Sequence, residues 1–575
     1  MRVSITSPPW ANGRFIAIST EYDPGIIAAI KSVPGRRWDP GRHVWLIPLT
    51  PESHAALLTH LPRYAEPIIE RDLASRLEAR AHDLAAVERI KAHGDGVVPF
   101  AYLTEPYGHQ RAGLDFLVRL GSGALLWEMG TGKTKTAIDY CEWTMQQEAL
   151  RHAWTMEQVR RSFRVLVICP NTVKRNWVAE IEKHAGHRDY IVPDGPLTRR
   201  KGEIGSAGYT IVNCEMLSAK VTTEAILARQ WDVVIVDEST RFKTPTAKRT
   251  KALHKVNAKR RLILTGSPIT GKPQDAWAQL EFVEPGLLGS WWSFLDRYMV
   301  KDYFGSITGV KDGMAEELRA RIESRSYRVL KREVLDLPPK VYENRWVELA
   351  GTQAAAYKQM KSELRVALEG HDILAPTILT QLLRLTQITA GLIGERGDYL
   401  WLSPSAKLTE LDNLLNDELA GEQVVVFALY QRELEKLAAR YQTFAYPLSV
   451  GSLEARPPII YGPTPEHLRH EIIERFQRGE ERILFAQSHT GGIGVNLTAA
   501  RTAIYYTRGW SLEDYIQSQD RLHRIGQQGT VTILNLVAKN TVDMVIDRAL
   551  AAKQNMADIL TGDVARKLAA EVLGD

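Results

Sequence analysis

The sequence has few cysteines, no long apolar run and no strong excess of either charge. Its 575 residues include only three cysteines, Cys141, Cys169 and Cys214. Their spacing fits neither a disulfide framework nor a thiolate metal site, so we expect a reducing compartment and no metal held by cysteine. No run reaches the roughly eighteen apolar residues of a membrane-spanning helix, and the N-terminus lacks the apolar core of a signal peptide. The sequence therefore predicts a cytoplasmic protein with no membrane partner.

The charge balance limits the kind of nucleic-acid site that this chain can have. Lysine and arginine number 73, aspartate and glutamate number 68, and the net charge is +5. This excludes a strongly basic tail, so any nucleic-acid site must be a local groove. Hydrophobic residues make up 44% and charged residues 25% of the chain, which is typical of globular domains. The length predicts about three or four of them.

A short apolar stretch followed by two glycines and a lysine is the strongest phosphate-binding signal in the sequence. Leu125–Trp127 predicts a strand, and a helix is expected to begin at Lys133 after a glycine turn. Such a turn directs backbone N–H groups toward an anion, and the lysine reaches the β- and γ-phosphates. Trp127 stands where a strict Walker sequence has its first glycine, and a surface turn beside an ordinary lysine is the alternative. The expected nucleotide-binding residues in this loop are Met129, Gly130, Thr131, Gly132, Lys133 and Thr134.

From residue 99 onward, apolar strands alternate with helical segments, which is the pattern of a parallel sheet covered on both faces. The strands predicted for a first lobe are Ala124–Trp127, Val165–Cys169, Thr210–Val212, Val233–Val236 and Leu262–Leu264, and those for a second lobe are Val424–Phe427, Ile483–Phe485, Ala503–Tyr506 and Thr532–Leu536. A more helical stretch, 286–400, separates the two sets. We therefore expect two α/β lobes with ligand sites at the carboxyl ends of their strands.

A carboxylate pair follows one of these predicted strands. Asp237 can hold Mg²⁺, and Glu238 can orient and deprotonate an attacking water. Alone, such a pair is more often a solvated strand end. Its occurrence in the same lobe as Lys133 favours the catalytic interpretation.

Residues 1–62 read as a small separate module. Its predicted elements are the strands Phe15–Ile18 and Trp45–Ile47 and the helix Ile26–Ile30. Arg37 and Trp38 belong to a group of cations and aromatic rings that can hold a phosphate and stack a base. The alternative is a small core in which Trp38 and Trp45 are simply buried. Residues 63–98 predict a connecting helix.

Together these segments resemble the motifs of superfamily-two (DEAD/DEAH-like) helicases, specifically those of the Swi/Snf group of DNA translocases. Glu128–Thr134, Asp237–Thr244 and Leu264–Pro268 resemble motifs I, II and III. Further matches are the Q motif at Tyr107–Gln110, motif Ia at Cys169–Glu180, an inter-lobe signature at Leu330–Lys340, motif V at Gly491–Leu497 and motif VI at Gln519–Gln527. The resemblance covers residues 100–550. It implies two RecA-like P-loop lobes of the α/β class, with parallel sheets and helical insertions, plus the small N-terminal α+β module.

The resemblance also implies roles for individual residues. Gln110 is expected to read adenine, and Arg521 and Arg524 are expected to offset charge on the γ-phosphoryl group from the opposite lobe. A surface arginine cluster that binds solvent or DNA phosphate is the alternative. The expected catalytic residues are Lys133, Glu238, Arg521 and Arg524, and the expected Mg²⁺ ligands are Thr134 and Asp237. Ser239 and Thr240 stand where most relatives have Ala-His, which puts any coupling role of that histidine in doubt.

Family position further suggests a groove that tracks the DNA backbone. Hydroxyl, amide and backbone N–H donors dominate there, and these bind phosphate without reading bases. Trp177 and Trp510 can stack on sugar or base, although a tryptophan more often packs in a core. The N-terminal module resembles the HepA-related domain of annealing helicases, which engages forked or branched DNA. The expected DNA-binding residues are Asn176, Ser267, Gly492, Asn496, Trp510, Arg37 and Trp38.

These observations predict an ATP-dependent DNA translocase that hydrolyses ATP with Mg²⁺ on DNA and remodels or rewinds forked or branched structures. A strand-separating helicase is one alternative. The motor subunit or nucleotide-gated scaffold of a larger DNA-processing complex is the other. Compactness suggests a bacterial or phage setting. The expected domains are 1–62, a linker 63–98, lobe 1 at 99–285, an inter-lobe region 286–400, lobe 2 at 401–555 and a tail 556–575.

Overall fold

The computed structural model describes residues 2–6, 15–33, 36–48, 53, 57, 66–69, 71–266, 273–301, 307–369, 375–395, 398–441, 458–488, 496–551 and 570–573. The chain divides into two compact units, Met1–Val334 and Leu335–Asp575. None of the helices in these ranges combines the length and the apolar character that crossing a bilayer requires.

A five-stranded sheet begins the first unit. Its strands are β1 (Arg2–Thr6), β2 (Phe15–Ser19), β3 (Arg37–Asp39), β4 (Val44–Pro48) and β5 (Glu66–Ile69), in the order β3-β4-β2-β1-β5. The helix Pro24–Ser32 begins where the Asp23 carboxylate accepts the N–H of Ile26 at 2.9 Å. Ile26 and Ile30 are buried with Ile16 and Ile18 of β2 in one apolar cluster. The strands and the helix predicted for this module are confirmed.

A seven-stranded parallel sheet forms the main body of the first unit. Its strands are β6 (Gly123–Trp127), β7 (Val165–Cys169), β8 (Tyr190–Ile191), β9 (Tyr209–Asn213), β10 (Gln230–Asp237), β11 (Asn257–Leu264) and β14 (Ser326–Val329). They lie in the order β14-β6-β11-β10-β7-β9-β8. Apolar clusters cover both faces, because successive residues of these strands point to opposite sides and the central residues of the strands are mostly apolar. The five strands predicted for the first lobe are confirmed.

Helices connect these strands. Their bounds are Arg71–His93, Gly108–Leu120, Lys133–His152, Met156–Ser162, Lys174–Ala185, Leu197–Glu203, Lys220–Leu227, Lys248–Leu253, Asp275–Val283, Trp291–Tyr298, Ala315–Glu323 and Lys331–Val334. A two-stranded antiparallel ribbon, β12 (Met299–Lys301) with β13 (Ile307–Val310), follows the sheet. The connecting helix predicted within 63–98 is present over Arg71–His93.

The second unit contains a six-stranded parallel sheet. Its strands are β15 (Lys340–Val347), β18 (Val424–Ala428), β19 (Ile459–Ile460), β20 (Ile483–Gln487), β21 (Thr502–Tyr505) and β22 (Val531–Ala538), in the order β15-β22-β21-β18-β20-β19. An antiparallel pair, β16 (Leu392–Glu395) with β17 (Asp398–Trp401), lies outside it. The helices of the second unit are Gly351–Glu369, Ala375–Thr389, Ala406–Asn413, Gln431–Tyr441, Glu466–Gln477, Leu512–Gln519 and Val542–Ala551. The four predicted strands are confirmed, except that β21 ends one residue before Tyr506.

Two strands that were not predicted lie within the stretch 286–400 and extend the sheets. β14 pairs in parallel with β6, the strand before the glycine turn, and β15 pairs in parallel with β22 along its whole length. The segment is therefore not simply a helical insertion, because each unit draws one edge strand from it.

A buried ion pair lies in the second unit. The ammonium of Lys407 is 2.6 Å from the carboxylate of Asp543, and the two side chains are 1% and 6% exposed. Asp543 also accepts the hydroxyl of Thr389 at 2.9 Å and the N–H of Ala538 at 3.0 Å, and Lys407 donates to the carbonyl of Tyr506 at 3.1 Å. Because buried charges must be compensated, this network fixes the start of one helix against another.

Candidate active site

The glycine turn after β6 has the backbone conformation that a phosphate loop needs. Gly130 and Gly132 have φ values of 79° and 87°, in the left-handed region that favours glycine. A Cβ at Gly132 would lie 2.0 Å from the side-chain nitrogen of Gln110, so the loop also excludes side chains by contact. The helix Lys133–His152 begins directly after the turn and directs its free N–H groups toward the loop.

Lys133 is buried against the end of β6. Its ammonium donates to the carbonyl of Trp127 at 2.7 Å and to that of Glu128 at 3.2 Å, and the hydroxyl of Thr131 donates to the same Glu128 carbonyl at 2.7 Å. The loop therefore holds a positive charge beside the helix N-terminus. This charge and the helix dipole together favour an anion at the turn.

The Q-motif side chains contact the phosphate loop directly. Gln110 donates to the carbonyl of Thr131 at 3.2 Å, and Nε2 of His109 lies 2.8 Å from the same oxygen. Because a carbonyl oxygen only accepts, Nε2 of His109 carries the proton, and burial lowers the pKa of this histidine, which keeps the ring neutral. The half-exposed ring of Tyr107 stacks on His109 with centroids 5.9 Å apart. Gln110 thus links the predicted adenine site to the phosphate loop.

The carboxylate pair lies at the end of β10, two strands away from β6 in the same sheet. The carboxylate of Asp237 accepts the indole N–H of Trp177 at 2.9 Å and the backbone N–H of Glu238 at 3.0 Å. Burial raises the pKa of Asp237, while the indole bond and the charge of Lys133 act in the opposite direction. Trp177 is fully buried and positions a carboxylate, so of the two roles left open for its ring, packing in the core and stacking on DNA, the structure supports packing.

Glu238 has an unusual backbone conformation for a residue with a side chain. Its φ and ψ are 50° and 56°, in the left-handed region. This conformation costs roughly 1–2 kcal/mol for a residue other than glycine, and such strain is concentrated at functional sites. The turn directs the chain away from β10 into a short 3₁₀ helix, Ser239–Phe242. The buried hydroxyl of Ser239 donates to the side-chain oxygen of Gln279 at 2.5 Å.

The residues at this sheet edge fit a Mg²⁺ that is shared with a nucleotide. In the described ranges, no group of three or more His, Cys, Asp or Glu side chains could hold a metal by itself. Mg²⁺ typically uses one or two protein oxygens together with substrate phosphates and water. The hydroxyl of the half-buried Thr134 and the carboxylate of Asp237 are oxygen donors of that kind.

Glu128 connects the phosphate loop to the last residues of the first unit. Its carboxylate accepts the backbone N–H of Lys331 at 2.7 Å, and its own N–H donates to the carbonyl of Val329 at 3.0 Å. Lys331 begins the short helix that ends this unit at Val334. Glu128 therefore contacts both Lys133, through its carbonyl, and the segment by which the chain leaves the unit.

In the second unit, internal contacts hold the predicted motif VI. Arg521 is 6% exposed, and Arg524 is half-buried. His523 lies between them, with its Nε2 2.7 Å from the carbonyl of Pro338, and Asp520 pairs with Lys340 at 3.0 Å. The inter-lobe signature thus supports motif VI within this unit. The other predicted site residues, Gln110, Lys133, Asp237 and Glu238, come together at one edge of the seven-stranded sheet.

Comparison with known proteins identifies the family. The model of the SNF2-related domain matches residues 109–391, and the model of the helicase conserved C-terminal domain matches residues 406–526. The chain belongs to the SNF2 family. The two matched domains are those of an ATP-hydrolysing, helicase-like enzyme.

Two curated relatives and one solved structure illustrate the similarity. YwqA of Bacillus subtilis, whose name describes an ATP-dependent helicase or translocase, is 28% identical over 85% of this chain and 52% of its own length. ZRANB3 of Bos taurus, named a DNA annealing helicase and endonuclease, is 26% identical over 80% of this chain and 41% of its own. The chain thus spans about half the length of such relatives. The SWI2/SNF2 ATPase core of Sulfolobus solfataricus in complex with dsDNA is 26% identical, with 83% of this chain and 98% of that chain covered, at a TM-score of 0.39.

The DNA-binding residues predicted from the SNF2 resemblance fall into three groups. Asn176, in the first turn of the helix Lys174–Ala185, and Asn496 are exposed. Ser267 and Gly492 lie outside the described residues. Trp510 is only 5% exposed and packs in an apolar cluster of the second unit, so the prediction that its ring contacts DNA is corrected: the packing alternative holds.

In the N-terminal module, Arg37 and Trp38 are at the surface of the SNF2 protein. Trp38 is 46% exposed and lies 5.2 Å from the ring of Trp45. The guanidinium of Arg37 lies over the ring of Phe15 at 5.7 Å and pairs with Glu281 at 3.4 Å. The small-core alternative therefore applies only in part to the tryptophans, because Trp45 packs against the core while Trp38 leaves half of its ring accessible.

We predict that Trp177→Phe raises the Mg²⁺ concentration needed for half-maximal ATP hydrolysis by about three- to tenfold, the effect of losing a hydrogen bond to a charged group. The lost N–H removes a contact that lowers the pKa of Asp237, so that pKa rises further and the effect is larger at pH 6 than at pH 8. Mg²⁺ titrations of ATPase rate at both pH values measure it.

Trp231→Phe is the matched control for this substitution. Trp231 is also fully buried in the first unit, but its indole donates to the carbonyl of Ile226 at 3.1 Å and has no contact with Asp237. Equal Mg²⁺ requirements in the two variants would show that packing, and not the bond to Asp237, determines the effect.

Proposed function

We propose that the chain is a DNA-stimulated, ATP-dependent translocase. The observation that carries the proposal is the arrangement at one sheet edge of Lys133 on the phosphate loop, Asp237 held by Trp177, and Glu238 in a strained turn. SNF2-family membership supports it. DNA as the partner is part of the proposal, and it agrees with the name of ZRANB3, which describes a DNA annealing helicase.

In the proposed reaction, each side chain has a distinct task. Lys133 exchanges its loop carbonyls for the β- and γ-phosphate oxygens, and its charge offsets the charge that spreads over the γ-phosphoryl group. Thr134 and Asp237 would hold Mg²⁺, which would neutralise phosphate charge. Glu238 orients the attacking water and takes its proton.

Further parts of the proposal extend beyond this edge. Gln110 reads adenine, and Arg521 and Arg524 supply positive charge from the second lobe, so that hydrolysis depends on both lobes. Asn176 and Asn496 are proposed to bind DNA phosphate, which gives tracking without sequence preference. The proposed domains are the module 1–62, the linker 63–98, the lobes 99–285 and 401–555 with the region 286–400 between them, and the tail 556–575.

We infer that the N-terminal module directs the motor to forked or branched DNA. The ring of Trp38, which is 46% exposed, supports this, because an exposed aromatic ring can stack on an unpaired base. Rewinding of separated strands, rather than net unwinding, is the function that we favour. The description of ZRANB3 as a DNA annealing helicase supports rewinding.

We expect Trp38→Ala to lower the affinity for forked DNA about tenfold, since base stacking contributes roughly 1–3 kcal/mol, and to leave duplex-stimulated ATPase unchanged. ATPase rates across a concentration series of single-stranded, duplex, forked and four-way DNA measure it. Trp292→Ala, which removes another exposed tryptophan of the same unit, is the control. If no DNA stimulates the wild-type ATPase, the translocase proposal fails; if fork and duplex responses fall together, only the fork inference fails.

Two alternatives make different predictions. A strand-separating helicase would unwind a plain duplex in the presence of ATP, whereas a rewinding motor would anneal separated strands against a single-strand binding protein. A nucleotide-gated scaffold would bind ATP without DNA-stimulated hydrolysis. The carboxylate of Glu238 and the charges of Arg521 and Arg524 argue against a scaffold, because gating by binding alone requires neither a group that activates water nor cations that offset charge in the transition state.

A further inference from the structure

The segment that follows the catalytic carboxylates is unusually basic for a chain of nearly balanced charge. Between residues 239 and 274 there is no Asp or Glu, while ten residues are basic: Arg241, Lys243, Lys248, Arg249, Lys251, Lys255, Lys259, Arg260, Arg261 and Lys272. Four of these residues form ion pairs with carboxylates from elsewhere in the first unit. The pairs are Arg241–Glu215 at 3.8 Å, Lys243–Asp275 at 3.3 Å, Lys259–Asp232 at 2.7 Å and Arg260–Glu148 at 3.3 Å.

Three exposed lysines of this segment form a row, which we call the lysine stripe: Lys248, Lys251 and Lys255. The first two lie in the helix Lys248–Leu253, and the third follows after His254, whose backbone is still helical. A spacing of three and then four residues places all three on one helical face. In the described ranges, no carboxylate lies within 4.0 Å of any of their ammonium groups.

The opposite side of this helix is fixed in the core. Ala252, Leu253 and Val256 are buried in the apolar cluster on one face of the seven-stranded sheet. His254 extends inward, with Nε2 2.8 Å from the carbonyl of Ala278, and burial lowers its pKa, so it adds no charge to the row. The packing of these residues holds the helix in place, so the three lysines of the stripe stay on its solvent-facing side.

A row of like charges at these spacings is unfavourable by itself. Like charges three or four residues apart on a helix repel each other and destabilise it. A helical rise of about 1.5 Å per residue separates the first and last lysines by roughly 10 Å. About six phosphate charges occur along the same length of duplex DNA, so a phosphate backbone matches the stripe in sign and in length.

We propose that the lysine stripe is a second contact surface for the backbone of duplex DNA, separate from the loops assigned to the tracking groove. This rests on the proposed function, because it takes DNA as the partner. The stripe is joined to the catalytic turn through a short path: the hydroxyl of Thr250, in the same helix, donates to the carbonyl of Phe242 at 3.3 Å, and Phe242 ends the 3₁₀ helix that begins next to Glu238. Lysine suits this role because it binds phosphate as a point charge without base specificity.

The test is the triple variant Lys248→Gln, Lys251→Gln and Lys255→Gln in the full chain. Binding to a fluorescent duplex is measured across a series of salt concentrations. A plot of log K against log[salt] has a negative slope, and each lost phosphate contact makes it shallower by about 0.9. We therefore expect the slope of the triple variant to be shallower than that of the wild type by about 2 to 3. ATPase activity without DNA should equal that of the wild type.

A second triple variant controls for net charge. Arg161→Gln, Arg199→Gln and Arg319→Gln remove the same charge from the same unit, at exposed arginines that each pair with a glutamate four residues away. We expect their slope to stay within about half a unit of wild type. Equal slopes for the two variants, or a wild-type slope in the stripe variant, would overturn the inference. Wild-type protein that fails to bind duplex at all would instead contradict the proposed function.

Discussion

Glu238→Gln is expected to lower the rate of DNA-stimulated ATP hydrolysis by about 10³-fold, within the range that a general base contributes, while ATP affinity changes less than twofold. The amide keeps the size and polarity of the side chain but cannot take a proton from water. The neighbouring Asp237 and Lys133 keep their contacts, so the nucleotide site is preserved. Single-turnover ATPase rates and nucleotide affinity, both measured with saturating DNA, separate the two effects.

Glu215→Gln is the control for this prediction. Glu215 belongs to the same unit and is largely exposed, and its carboxylate pairs with Arg241 at 3.8 Å. Its rate should remain close to that of wild type. If Glu238→Gln hydrolysed ATP as fast as Glu215→Gln, the assignment of the chain as a DNA-stimulated ATPase with Glu238 as its base would be rejected.

Lys407→Met is expected to lower the free energy of unfolding by about 3–5 kcal/mol, the usual cost of breaking a buried ion pair. The substitution leaves the Asp543 carboxylate in the core with only the Thr389 hydroxyl and the Ala538 N–H as donors. Adding Asp543→Asn removes the uncompensated charge and keeps an acceptor, so the double variant should recover about half of the loss. Urea denaturation of the full chain, followed by fluorescence, gives the values.

The exposed pair Lys539–Glu348 provides a matched comparison in the same unit. Its ammonium and carboxylate are 2.7 Å apart, but the side chains are 47% and 73% exposed. Lys539→Met should change the free energy of unfolding by less than about 1 kcal/mol, because water screens the pair. Similar losses for Lys407→Met and Lys539→Met would mean that burial of the first pair does not determine its contribution.

Local patterns in the sequence were sufficient to predict the centre of each sheet. Strands β6, β7, β10 and β18 are short runs of Val, Ile and Leu, and residues buried on both faces leave that signature wherever they occur. The phosphate loop was equally readable. Gly130, Gly132 and Lys133 lie within one turn, so their spacing along the chain is enough to predict the conformation of the loop.

Features that depend on partners far apart in the chain could not be predicted in this way. β15 is an edge strand with four exposed positions, including Tyr342 and Glu343, so it lacks the continuous apolar run of a central strand. The bond between Trp177 and Asp237 joins residues 60 positions apart. Tryptophan alone does not reveal whether its indole N–H faces solvent, DNA or a carboxylate. For this reason the role of Trp177 stayed open between packing and DNA contact, and Trp510 was assigned to the DNA-binding residues.

The contact between Glu128 and Lys331 gives the first unit a mechanical property. The carbonyl that receives Lys133 and the carboxylate that holds the departing chain belong to the same residue. A displacement that starts at the loop lysine therefore reaches the end of the unit across one side chain, without a flexible loop in between. The two contacts of Glu128 therefore couple the position of the Lys133 ammonium to the point where the chain leaves the first unit.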